Sequence, residues 1–253
     1  MTFIKEFFNF YSSFLVTIVG KRRFFNFNSI YKKAISILLL GNILSFMLGL
    51  LLMVTIAYTF SIFNYPKPTY NNLLKHTGDC INNYLFLPFL FGCILAPIFE
   101  ELVFRLPLRY TKANLIISII ALYLLTFISK NAMCALVNGT FIERFKYEKF
   151  ILFLGITALT VVLVNIKAIN KLLIKIINEH GWWLYILLSI LFGIIHTEPI
   201  RVLANLPWLI AQGGVQIAFG LYWGYLRLTY GIKYSIMAHA VWNFLILILT
   251  HNF

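Results

Sequence analysis

Six side chains in three short motifs have the types and spacing to do chemistry: Glu100, Glu101 and Arg105, then His196, then His239 and Asn243. The first three sit inside an otherwise apolar run, where each uncompensated charge costs at least ~2.5–3.5 kcal/mol on insertion scales. On a helix Glu101 and Arg105 are four apart and can pair, which turns Glu100 by about 100° toward another surface. A carboxylate without a local cation in a low-dielectric site holds its proton more tightly than in water, the condition a general base or acid needs near neutral pH. Hydrolysis of an amide needs a base for water, a group that orients that water, and donors aimed at the oxygen that becomes negative. Glu100 is the candidate base, and His196 can hold the water or shuttle its proton. His239 and Asn243, four apart on one face, can donate to the oxyanion, while Glu101 with Arg105 fixes the helix and tunes Glu100.

Plainer roles exist for the same residues. A Glu–Arg pair can neutralise itself and hold a bundle together, and His196, His239 and Asn243 can serve as hydrogen-bonding contacts between helices. Glu100, His196 and His239 could instead bind zinc with water in the fourth position, although no HExxH motif is present. Intramembrane Glu and His also build proton relays. His76, His180 and His251 fall in loops or at the terminus and receive no role.

The elements that must carry these residues are membrane helices. At 61% hydrophobic and 11% charged over 253 residues, with mean hydropathy +0.86, the chain lacks the polar surface to cover a soluble globule. Its net charge of +13 comes from basic residues scattered between apolar spans, which reads as a topology signal and not as a nucleic-acid surface. Cys80, Cys93 and Cys134 are isolated, so neither a disulfide framework nor a thiolate metal site is indicated. Lys5 and Glu6 interrupt the first apolar segment and no small-residue cleavage site follows, so no cleavable signal peptide is expected.

Residues 1–33 read as an interfacial segment with a basic cluster, Lys21 to Arg23 and Lys32-Lys33, that places the N-terminus in the cytoplasm. Residues 34–253 read as one all-α membrane domain of about seven spans. These run near 34–63, 84–108, 114–128, 150–166, 182–196, 203–225 and 234–250. The linker 64–83 is expected outside. Arg105, Arg109 and Lys112 point to the cytoplasmic side, as do Lys167, Lys171 and Lys175 on an amphipathic connector. The loop holding Lys130, Arg144, Lys146 and Lys149 should lie outside by alternation and is nonetheless basic, with Glu143 and Glu148 available for local pairing. Gly220-x-x-x-Gly224 suggests close helix packing, and Gln212 and Gln216 suggest interhelical hydrogen bonds.

Glu-Glu-x-x-x-Arg at 100–105, Phe-x-x-x-His at 192–196 and His-x-x-x-Asn at 239–243, in that order, resemble the CPBP intramembrane protease family. That family includes the type II CAAX prenyl endopeptidases and the bacterial Abi, or bacteriocin-processing and immunity, proteins. The similar region is about 91–244 and includes the approach Gly220 to Gly224. Leu106 stands where the family has a small residue. The resemblance implies that Glu100 and His196 activate water, that Glu101 and Arg105 support them, and that His239 and Asn243 form the oxyanion hole, with no metal.

The expected function is therefore intramembrane cleavage of a membrane-associated or lipidated protein, or of a peptide precursor, in a bacterial plasma membrane. Without prenylation there, peptide maturation or immunity is favoured over prenyl processing. A non-catalytic immunity or scaffold protein with the same fold, and a proton-coupled transporter, are the rival readings. The expected partners are the lipid bilayer and the substrate, and the sequence specifies no oligomeric state.

Overall fold

Helix is the only regular structure that the computed structural model contains among its described residues, 34–62, 89–127, 147–196 and 213–250. The expectations for residues 1–33, the linker 64–83, the basic loop up to residue 146, Gln212, Cys80 and Cys134 fall outside them. Seven α-helices lie within the described residues: α1 (Ala34–Ile62), α2 (Ala96–Phe104), α3 (Lys112–Phe127), α4 (Tyr147–Asn165), α5 (Lys167–Ile195), α6 (Gly214–Thr229) and α7 (Ile232–Thr250). A π-helix, Phe89–Leu95, leads into α2, and a 3₁₀ turn, Leu106–Leu108, follows it.

Their number matches the expected spans, but their lengths are unequal. Leu39–Ile56 in α1 and Ile232–Leu249 in α7 are long and apolar enough to cross a bilayer, α4 and α5 form a pair bent by 89°, and the apolar part of α3 is shorter, Lys112–Leu125. Helix α2 ends at Phe104 for a local reason. Pro107 has no N–H to continue the ladder, so α2 stops at Phe104 and tightens into the 3₁₀ turn.

The described residues group into two compact units, one holding α1, α5 from His180 and α6, the other holding the π-helix, α2, α3, α4, α5 up to Glu179, and α7 from Ser235. His180 leaves helical geometry (φ −128°, ψ 18°) where α5 passes from one to the other.

In the first unit small residues let backbones meet. Gly41, Ser45 and Gly49 recur every four residues on α1 and are buried, whereas Ile43, Met47 and Leu51 are exposed. A side chain at Gly49 would strike the Val215 backbone and lie 3.1 Å from the Gly214 carbonyl oxygen of α6. One at Gly220 would sit 3.0 Å from Ser189 Cα of α5, which is the close packing expected of the Gly220 step. Buried Asn42 accepts a hydrogen bond from Trp223 Nε1 at 2.8 Å, while Gln216 Oε1 is buried without a hydrogen-bond partner among the described residues. Gly231 takes φ +108°, open to glycine at low cost, and closes the tight turn into α7.

In the second unit Thr111 Oγ1 caps α3 by accepting from the Asn114 N–H at 3.0 Å. Tyr123 stacks on Phe153 of α4 with ring centroids 3.9 Å apart. Tyr110 donates to Asn170 Oδ1 and Lys112 to Asn165 Oδ1, each at 2.9 Å. These bonds tie the turn after α2 to the α4–α5 corner, so Lys112 and Lys167 lie at the same end of the unit.

Gly49→Ala is expected to lower stability by about 1–3 kcal/mol, because its methyl meets backbone that cannot swing aside. Gly155→Ala, where a side chain meets nothing within 4 Å, should be neutral or stabilising by up to ~1 kcal/mol. Thermal unfolding of the two variants in detergent compares them.

Candidate functional site

Glu101 and Arg105 are the most enclosed charges described, at 0% and 1% exposure. Arg105 caps the C-terminus of α2, its backbone N–H donating to the Glu101 carbonyl at 2.9 Å. Its Nε lies 3.6 Å from Glu101 Oε2. The expected i,i+4 pair is present.

The other partners of these carboxylates come from α7. Ser235, His239 and Asn243 follow one another at four-residue spacing and so share a face. Ser235 Oγ donates to Glu101 Oε2, and His239 Nδ1 donates to Glu101 Oε1 at 3.1 Å. His239 Nε2 faces Glu100 Oε2 at 3.6 Å. Glu100 is thus not isolated, as its rotation away from Arg105 suggested; one imidazole addresses both carboxylates. The side chain of Glu100 is 13% exposed against 0% for Glu101, so the two neighbours differ in access. Asn243 Nδ2 donates to the Gly92 carbonyl of the π-helix at 2.8 Å, and Phe244 meets Phe89 edge to face at 6.0 Å.

Ser235 was missed by motif reading. Its signal was available: a hydroxyl one turn before His239 on an apolar helix has few reasons to be there except a buried acceptor.

His196 belongs to the first unit. It ends α5, with Nδ1 donating to the Phe192 carbonyl at 2.7 Å and its ring 4.4 Å from that of Phe192. Phe192 is itself buried against Trp223, which stacks on Phe219. The Phe-x-x-x-His spacing therefore sets a tautomer. With the proton on Nδ1, neutral His196 offers Nε2 as an acceptor.

For a metal, the donor chemistry is restrictive. The oxygens of Glu101 face Ser235, His239 and Arg105, both nitrogens of His239 face carboxylates, and no group of three or more His, Cys, Asp or Glu among the described residues could hold an ion.

A family model described as type II CAAX prenyl endopeptidase Rce1-like matches residues 82–245, well over half of the chain. The chain belongs to the Rce1-like family. The match contains all three motifs and agrees with the CPBP resemblance; it is a family of CAAX-type intramembrane proteases, and this member is an integral membrane protein. No curated protein and no solved structure matches the chain. In this Rce1-like chain the Glu-Glu-x-x-x-Arg motif and the His-x-x-x-Asn motif come together in one unit, with Ser235 added to them.

Arg105→Met would leave the Glu101 carboxylate buried without its guanidinium, and should cost about 3–5 kcal/mol of stability. Adding Glu101→Gln removes the stranded charge, so the double variant should lose clearly less than the single one. Denaturation followed by helicity in detergent measures both.

Proposed function

We propose that this protein is an intramembrane endopeptidase in which Glu100 activates water to hydrolyse a peptide bond of a membrane-associated protein or peptide precursor. The supporting observation is His239, whose two ring nitrogens face Glu101 and Glu100 at 3.1 and 3.6 Å.

With its Nδ1 proton committed to Glu101, His239 presents Nε2 to Glu100. A proton on Nε2 makes that contact an ion pair, and its removal leaves a lone pair facing a carboxylate oxygen. Glu100 thus has a proton-exchanging neighbour at its side, which suits a base that must accept a proton from water and return one to the leaving amine. Glu101 acts as the orienting carboxylate, in the way a buried acid holds the histidine of a hydrolytic triad, and Ser235 and Arg105 hold Glu101. Apo geometry with such contacts slightly long is usual before substrate closes the site. His196, tautomer-set by Phe192, has the water-orienting role that the resemblance implies. This mechanism uses no metal.

The substrate reading follows the chain's setting. CAAX-type intramembrane proteolysis is the family-level chemistry, and for this chain cleavage of a membrane-bound or lipidated protein or of a peptide precursor, in maturation or immunity at a bacterial plasma membrane, is the reading favoured here.

Glu100→Gln keeps the size and removes the base. Cleavage of a membrane-anchored reporter should fall at least about 100-fold, with helicity and melting temperature unchanged. A non-catalytic scaffold would keep its phenotype in this variant. Chelation by 1,10-phenanthroline should leave cleavage intact; loss restored by zinc would favour the metal set Glu100, His196 and His239.

A further inference from the structure

The stretch entering the glutamates winds as a π-helix over Phe89–Leu95 and changes to α at Ala96. In the π winding each carbonyl accepts from the N–H five residues on. For Gly92 that residue is Pro97, which has no N–H to give. Within an apolar interior an unsatisfied carbonyl is costly and needs another donor. That donor is the Asn243 amide, at 2.8 Å and 151 residues away in sequence. The next residue, Phe244, packs against Phe89, so two consecutive side chains of α7 grip the start and the middle of the π segment. One turn earlier on α7, His239 faces Glu100.

We propose that Asn243 is a positioning residue: its amide supplies the hydrogen bond that Pro97 withholds from Gly92, and so holds the π-helical entry to α2 in the winding that sets Glu100 against His239. The proposal rests on Glu100 being the base. It assigns Asn243 a task separate from donation to a substrate oxygen, and it ties a proline and an asparagine far apart in sequence to one carbonyl.

The two tasks respond differently to Pro97→Ala, which restores a backbone N–H at the position where Gly92 can use it. The full chain is compared as wild type, N243A, P97A and P97A/N243A by hydrogen exchange of the peptides covering residues 89–99 and by cleavage of one membrane-anchored reporter. N243A should exchange at least tenfold faster in that segment and cleave at least tenfold more slowly. P97A/N243A should return to within threefold of P97A in exchange, and any cleavage deficit that remains beside restored exchange reports the separate donation to a substrate oxygen. Unchanged exchange in N243A, or a double variant that exchanges as fast as N243A, overturns the proposal. If N243A does not fold, the double variant decides alone: folding with wild-type exchange supports the clamp, and failure to fold overturns it. Exchange does not depend on turnover. An active Glu100→Gln variant would therefore sink the glutamate mechanism while leaving the exchange result to be judged separately.

Discussion

Two carboxylates, one guanidinium and one imidazole share an apolar interior, and the second unit sets them within reach of one another. Ser235, His239 and Arg105 face the oxygens of Glu101, and His239 also faces Glu100, so a polar or opposite group balances each buried carboxylate as a low-dielectric interior demands. The same balance holds α2 and α7 together, so structure and chemistry draw on a single set of contacts.

Helix α7 is the element that makes this possible. Its polar residues, Ser235, His239 and Asn243, recur at four-residue spacing, and each meets a different need: a carboxylate oxygen, two carboxylates at once, and a backbone carbonyl. Met237, Phe244, Ile246 and Leu249 occupy its exposed surface. Prolines bracket the other partner. Pro97 lies inside the first turn of α2 and Pro107 ends it, so the glutamates sit on a short rod of nine residues with defined ends.

The first unit solves its packing by a different device. Glycine and serine at every fourth position of α1 bring backbones into contact, and Asn42 with Trp223 adds one buried polar bond. Dispersion and close approach hold such helices together where lipid is as apolar as leucine. The Phe192 carbonyl and ring then prepare His196, giving it a defined tautomer.

Much of this was legible in the residues alone. Hydropathy and charge order located the helices, since a bilayer permits few alternatives to helix, and the spacing of Glu101 and Arg105 foretold their pairing because a helix makes i,i+4 neighbours whatever surrounds it. The three motifs were enough to indicate the family. The partner of Glu100, the role of Ser235, the π winding before Ala96 and the acceptor of Asn243 were not legible. Each of these depends on which helix lies alongside which, and periodicity describes a face without naming its neighbour. Local geometry is written in short-range spacing; the meeting of residue 92 with 243, or of 101 with 235, is decided only when distant segments pack and every buried donor must find its acceptor.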